Sequence, residues 1–239
     1  IWGRAEAGVP WETLRHLLLD LVLPAAVGQS GRAVLHASAV RLGERAAVFV
    51  GPSGFGKSTL AASFGREGIC LADDSVLLAI DGRGAARAIP SYPGLRLWPR
   101  SLRGLFRESP PAQTVVHYSR KLRLSGAGPG APAEGLPLAG IFLLNDPGQQ
   151  PAARINLGQL SGKEAIMLLL RRCFLLEAGD AAVAASLLRQ LGEVLQSGVP
   201  LARLAYPRRH GDLPAVRDAV REIAGSGSAG RIDTRCRTE

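Results

Sequence analysis

The residues best suited to chemistry lie in one run, Val48-Phe49-Val50-Gly51-Pro52-Ser53-Gly54-Phe55-Gly56-Lys57-Ser58-Thr59-Leu60. The spacing G-x-x-x-x-G-K-S after an apolar stretch is that of a phosphate-binding loop. Its glycines, Gly51, Gly54 and Gly56, free the backbone for left-handed angles, so successive N–H groups can face an anion. A helix opening near Lys57 adds unpaired amides and the positive end of its dipole. The reading assigns Gly51, Pro52, Ser53, Gly54, Phe55, Gly56, Lys57, Ser58 and Thr59 to nucleotide binding. Lys57 neutralises β/γ-phosphate charge, and the Ser58 hydroxyl ligates Mg²⁺.

A second signal follows closely. Ile69-Cys70-Leu71-Ala72 reads as a buried strand ending in Asp73-Asp74, and Ser75–Ile80 continues as strand, so the pair is poorly explained as a turn. A right-handed crossover makes this strand parallel to the one feeding the loop, which brings both C-terminal ends to one sheet edge. Two adjacent carboxylates suit phosphoryl transfer: one holds Mg²⁺ and one takes a proton from the attacking hydroxyl. Asp74 is assigned to the metal and Asp73 to the base, although the sequence leaves their order open.

His36 is the third candidate. Val34 to Leu42 and Ala46 to Val50 read as a hairpin about Leu42-Gly43-Glu44-Arg45, in which facing residue numbers sum to about 87. That register sets position 36 opposite position 51, at the rim of the loop, where a titratable group is a catalytic candidate.

The elements that must hold these residues are those of an α/β chain. Residues 11–23 carry Leu14, Leu17, Leu18, Leu21 and Val22 at helical spacing, ended by Pro24, with His16 on the solvated side. The helix after the loop is expected over 57–67, closed by Gly68. Residues 106–138 are dense in Pro, Gly and Ser and read as long loops. They contain Tyr118-Ser119-Arg120-Lys121-Leu122-Arg123, which is either a phosphate clamp or a solvated charge run. Ala139–Leu144 and Pro200–Tyr206 read as strands, and Ile155–Leu157 as a short one. Ser161-Gly162-Lys163-Glu164 is a capping box opening a helix to Leu176. Helices follow over 180–196 and along the Leu213, Val216, Val220, Ile223 stripe. Residues 1–224 are taken as one domain and 225–239, rich in Gly and Ser, as a disordered tail.

Composition narrows the function. With 239 residues and 46% hydrophobic, the chain can bury a sizeable core. No run approaches the roughly 20 apolar residues of a membrane span. The chain opens at Ile1 rather than Met, so upstream residues are expected, and nothing visible resembles a signal peptide. Cys70, Cys173 and Cys236 are far apart, which argues against a metal cluster or disulfide framework and fits the cytoplasm. The net charge of +9 is carried almost wholly by scattered arginines; Lys57, Lys121 and Lys163 are the only lysines. Nucleic-acid binding normally clusters basic and aromatic residues on one element, so no nucleic-acid partner is expected. No N-K-x-D-type run speaks for a GTPase.

The run His36…Gly51-Pro52-Ser53-Gly54-Phe55-Gly56-Lys57-Ser58…Ala72-Asp73-Asp74 resembles the kinase domain of HPr kinase/phosphorylase. That family shares its fold with phosphoenolpyruvate carboxykinase and likewise brings an acidic pair soon after the loop. Tyr92-Pro93, Leu97-Trp98-Pro99 and Tyr206-Pro207-Arg208 look like the short members found with lasso-peptide clusters, which phosphorylate a precursor's C-terminal serine. The resemblance implies an α/β P-loop kinase with a mixed sheet flanked by helices, using ATP (or another nucleoside triphosphate) and Mg²⁺. It sets Lys57 on phosphate, Ser58 and Asp74 around the metal, Asp73 as base and His36 near the transferred group. Thr59 stands where bifunctional members carry Glu, Ala37-Ser38 follows His36 in place of Gly, and their glycine-rich signature has no counterpart. The resemblance thus reaches the kinase chemistry and stops short of phosphorylase activity, sugar-transport regulation and hexamers, though a homo-oligomer stays open. The expected activity is phosphorylation of a peptide or small-protein serine. A small-molecule kinase and a non-catalytic nucleotide-binding module are its rivals.

Overall fold

The structure is a computed structural model that describes residues 3–65, 70–91, 94–108, 110–116, 119–124, 132–149, 151–177 and 179–225. Its first helical stretch is longer than the sequence suggested. Helix α1 (Trp11–Leu17) passes through a π-helical turn, Leu18–Val22, into α2 (Leu23–Gln29). Pro24 does not end the helix: it sits in the first turn of α2, where its missing N–H costs least, directly after the wider π turn.

The chain then builds β1 (Val34–Leu35), β2 (Ala37–Leu42) and β3 (Arg45–Val50), then α3 (Lys57–Ser63), β4 (Cys70–Ala72), β5 (Val76–Ile80) and β6 (Ala86–Pro90). Next come β7 (Leu95–Leu97), α4 (Pro99–Leu105), β8 (Ala112–Thr114), β9 (Leu122–Leu124) and β10 (Leu136–Leu144). The last elements are β11 (Asn156–Gln159), α5 (Gly162–Leu170), α6 (Ala181–Gln196), β12 (Leu201–Ala205) and α7 (Leu213–Gly225). The tail read as disordered, past Gly225, lies outside the described residues, as do Gly68, Tyr92, Pro93, Tyr118 and Cys236.

Nine of these strands form one mixed sheet, in the order β1-β5-β6-β10-β3-β2-β4, with β12 beside β10 and β11 beside β12. Strands β3, β10 and β12 are parallel. Strand β2 is antiparallel to β3 and β4 antiparallel to β2, so β4 runs in the direction of β3 with β2 between them. The hairpin register is the expected one: Ala37 faces Val50 and Leu42 faces Arg45, each pair summing to 87.

Alternation along β3 sends side chains into two cores, one on each sheet face. Ala46, Val48 and Val50 pack with Leu169 of α5 and Leu187, Leu191 and Val194 of α6. Ala47 and Phe49 pack with Leu60 and Ala61 of α3 and with Val216, Val220 and Ile223 of α7. Phe49 stacks on Phe64 and tilts against Phe142, with ring centroids 5.8 and 5.9 Å apart. Strand β3, which leads into the glycine loop, is thus packed on both faces.

Three other expectations change. Helix α3 stops at Ser63, and Gly65, at φ +56°, follows in the left-handed conformation that commonly closes a helix. Helix α5 stops at Leu170 rather than Leu176, because Cys173 bridges to Leu35 and Phe174 N–H donates to the Val34 carbonyl, so the next residues join strand pairing. The stretch 106–138 is not all loop: β8 and β9 complete a small antiparallel sheet with β7.

Candidate active site

Strand direction assembles the site. The C-terminal ends of β3, β4, β10 and β12 and the N-terminal end of β2 share one edge of the sheet. That edge therefore gathers the loop at 51–56, Asp73-Asp74, Asn145, Tyr206-Pro207-Arg208 and His36.

In the loop, Gly54 and Gly56 take left-handed angles, φ +87° and +83°, and Gly56 caps α3. Gly51 does not: its need for glycine is space, since a Cβ there would lie 3.3 Å from the Phe55 ring. The Lys57 ammonium folds across its own loop and donates to the Gly51 carbonyl at 2.8 Å and the Pro52 carbonyl at 3.1 Å. Burial pulls its pKa down to about 8, against the upward pull of Asp74 and Asp73. Thr59 Oγ1 shares a hydrogen bond with Ser101 Oγ at 2.9 Å, tying α3 to α4.

Asp73 is wholly buried, and both its oxygens are taken. Oδ1 accepts from the Ser38 hydroxyl at 2.5 Å and the Ser58 hydroxyl at 2.8 Å; Oδ2 accepts from the Arg96 N–H at 2.8 Å. Asp74 is the more open partner, with its side chain 14% exposed. Its backbone is left-handed at φ +72°, a conformation in which Asp is tolerated better than most residues. Arg96 binds both: Nη1 donates to the Asp73 carbonyl at 2.9 Å and lies 3.2 Å from Asp74 Oδ2. Burial, then the Asp74 charge, pushes the Asp73 carboxyl above the usual carboxylate range. Burial alone would raise Asp74 too, but Arg96, His36 and Lys121 hold it below that range, so Asp74 ionises first.

His36 lies where β1 gives way to β2, and Asp74 lies where β4 gives way to β5. Its backbone N–H donates to the Arg172 carbonyl at 2.7 Å, and Nδ1 lies 3.1 Å from the Asp74 carbonyl. Since a carbonyl only accepts, Nδ1 carries the proton and Nε2 is left as an acceptor. Burial, then the Lys57 charge, lowers the imidazole pKa to about 4, so the ring is neutral at pH 7.

Several residues at this edge were not among the site residues assigned from the sequence. Ser38 sits two positions after His36, within β2, and donates to Asp73. Arg96 is 2% exposed inside a Leu-Arg-Leu strand, where alternation would have sent a cation outward. It pairs with Asp20 at 2.5 Å, and Asp20 in turn binds His16 Nδ1 at 2.6 Å. His16 is therefore not merely a solvated side chain: it begins a polar chain that reaches the acidic pair. Arg208 lies beside the loop, held by Asn145. Of the basic run, Arg123 points inward, while Lys121 stands 5.9 Å from the Trp98 ring, near enough for its charge to act on Asp74, His36 and Lys57.

The Ser58 oxygen, its proton donated to Asp73 Oδ1, is a hard ligand that suits Mg²⁺, which commonly takes one or two protein ligands and completes its shell with phosphate and water. No group of three or more His, Cys, Asp or Glu that could hold a metal alone occurs among the described residues, and no described helix is long and apolar enough to cross a membrane. No family model matches the chain, and no curated protein does. Among solved structures, the chain is similar to the HPr(Ser) kinase/phosphatase from Coxiella burnetii, at 10% identity and a TM-score of 0.37, over 81% of this chain and 93% of that one.

Proposed function

We propose that the protein is a Mg²⁺- and nucleotide-dependent kinase of the HPr kinase type, acting in the cytoplasm on a serine hydroxyl of a peptide or small protein. The acceptor proposed first is the C-terminal serine of a precursor peptide, as in lasso-peptide tailoring. One observation carries the reading: the glycine loop, the hydrogen-bonded Ser58–Asp73 pair, the more open Asp74 and the His36 ring converge on a single sheet edge.

The geometry supports exchanging the two aspartates relative to the order taken from the sequence. Asp73 has no exposed oxygen for an acceptor and already grips the metal-side serine, so it belongs with Ser58. Asp74 is open to an incoming hydroxyl and is held ionised by Arg96, so it takes the proton. Mg²⁺ held beside Ser58 would supply charge neutralisation at the phosphates. Lys57 leaves the loop carbonyls for the β/γ-phosphates, and the loop amides orient the chain of phosphates. The serine oxygen forms a bond to the terminal phosphorus, the bond to the β–γ bridging oxygen breaks, and the nucleoside diphosphate departs with that electron pair. The hydroxyl proton passes to Asp74, whose backbone carbonyl the neutral His36 ring braces. Such transfer depends mainly on positioning and charge neutralisation, so a carboxylate that stays ionised suffices.

The test incubates the protein with ATP, Mg²⁺ and precursor peptides encoded beside its gene, and reads phosphate on serine by mass spectrometry. Lys57→Ala is expected to abolish transfer. Asp74→Asn is expected to keep MgATP binding and lose at least about 100-fold in transfer, the scale of a lost general base. An Asp74→Asn protein that transfers at the wild-type rate would overturn the assignment, and nucleotide binding with no transfer to any acceptor would favour the regulatory module.

A further inference from the structure

Beside the phosphate loop lies a cation that the loop motif does not include. Strand β12 ends at Ala205, and Tyr206-Pro207-Arg208 follows at the edge shared with the loop. The Arg208 guanidinium lies over the buried Tyr206 ring, 3.9 Å from its centroid. Its Nη2 donates to Asn145 twice, to the backbone carbonyl at 2.9 Å and to the side-chain oxygen at 3.0 Å. Asn145 is itself 3% exposed and directly follows β10, the parallel neighbour of the loop strand. The guanidinium is thus fixed in plane and direction before any ligand arrives.

What remains of it is unsatisfied. Nε and Nη1 are buried and make no well-aligned hydrogen bond among the described residues; the guanidinium's other polar neighbour is the Tyr206 hydroxyl, whose pKa burial pushes up and the guanidinium pulls down. Nη1 faces the loop: a Cβ placed on Gly56 would lie 3.5 Å from it, and 3.6 Å from the Tyr206 hydroxyl. Buried donors on a charged group are costly to leave unpaired, and native structures rarely do so without a ligand or water in reach. An anion lying in the cradle would meet Nη1 beside Gly56, the glycine immediately before Lys57.

We propose that Arg208 is a ligand for the β- or γ-phosphate of the bound nucleotide, its Nη1–H groups completing the cradle of loop amides. This rests on the nucleotide-binding reading above and adds to it a residue and a fixed positive charge from a distant part of the chain. Arginine suits the place because its plane can stack on Tyr206 and one edge can bond Asn145 while another stays free, which a lysine ammonium cannot do.

The experiment measures dissociation constants of the full chain for ATP, ADP and AMP in the presence of Mg²⁺, for wild type, Arg208→Ala and Arg208→Gln, with melting temperatures alongside. Both variants should lose roughly tenfold or more in affinity for ATP and ADP, the scale of a charge-assisted hydrogen bond, and keep that for AMP within about twofold. Arg208→Gln keeps the aliphatic stem and a neutral amide donor, so it carries the test should the alanine variant fold poorly. ATP affinity within about twofold of wild type in Arg208→Gln overturns the proposal, as does an equal loss for AMP and ATP, which marks a purely structural role. A wild-type protein that binds none of the three would instead sink the nucleotide reading itself.

Discussion

At the scale of single residues, the site is a set of charges that burial has moved off their ordinary values. Lys57 is the clearest case. Folding lowers its pKa from 10.5 to about 8, so the native state disfavours its protonated form and regains that stability only as pH rises from about 8 towards 10.5. A bound triphosphate reverses the preference by favouring the ammonium. MgATP affinity should therefore be flat near neutrality and fall above about pH 8, with uptake of about one proton on binding at pH 9 and little at pH 7. Titration calorimetry in buffers of different ionisation enthalpy reads that uptake directly. His36 works in the opposite pH range. Its folded value of about 4 lies below the ordinary 6.5, so the native state loses stability as pH falls through that window, by up to about 3 kcal/mol. Its ring resonances should titrate near pH 4, and the acid limb of activity should show no step near 6.5; a step there would place a charged imidazole in the reaction. The identity of Asp74 as the open carboxylate was not legible from Asp-Asp alone. Adjacent residues share a sequence context, and only the turn between β4 and β5 decides which one faces inward.

At the scale of elements, glycines separate conformational need from spatial need. Gly54 and Gly56 are both left-handed, but nothing lies within 4 Å of a Cβ at Gly54, whereas one at Gly56 meets Arg208 and Tyr206. Gly54→Ala should cost about 1–2 kcal/mol of stability from backbone strain alone. Gly56→Ala should carry the same strain and also weaken nucleotide binding, because it intrudes on the Arg208 contact. Paired unfolding and binding curves separate the two effects, and equal binding losses in both variants would contradict the distinction. Gly28 shows the spatial extreme: a Cβ there would sit 1.9 Å from the Phe174 carbonyl oxygen. Gly28→Ala must displace the 172–174 segment, whose Arg172 carbonyl holds the His36 N–H, so both melting temperature and transfer should fall. Element types were largely readable from periodicity, and the hairpin register from its turn. Element ends were less so, because Arg172, Cys173 and Phe174 give up helix for pairing with Val34, Leu35 and His36, and no local propensity reports that competition.

At the scale of the whole molecule, one buried cation joins the first helical stretch to the acidic pair. Arg96 touches Asp20 of the π turn, Asp73 and Asp74, and Asp20 passes the connection to His16. Removing one partner of a buried ionic network leaves the others unpaired, so Arg96→Met should lose roughly 3–5 kcal/mol in urea unfolding. A loss under about 1 kcal/mol would show that the network is solvated rather than buried. The chain's local order was enough to determine the glycine loop, the early acidic pair and the α/β alternation that brings them to one edge, since glycine spacing, strand alternation and hairpin register all act over a few residues. Which aspartate is buried and which is open, the place of Arg208 and the pairing of Asp20 with Arg96 were decided only by tertiary structure. Those contacts span 35 to 152 positions between partners such as Ser38–Asp73 and Gly56–Arg208, and burial, which sets their charges, exists only once both sheet faces are packed.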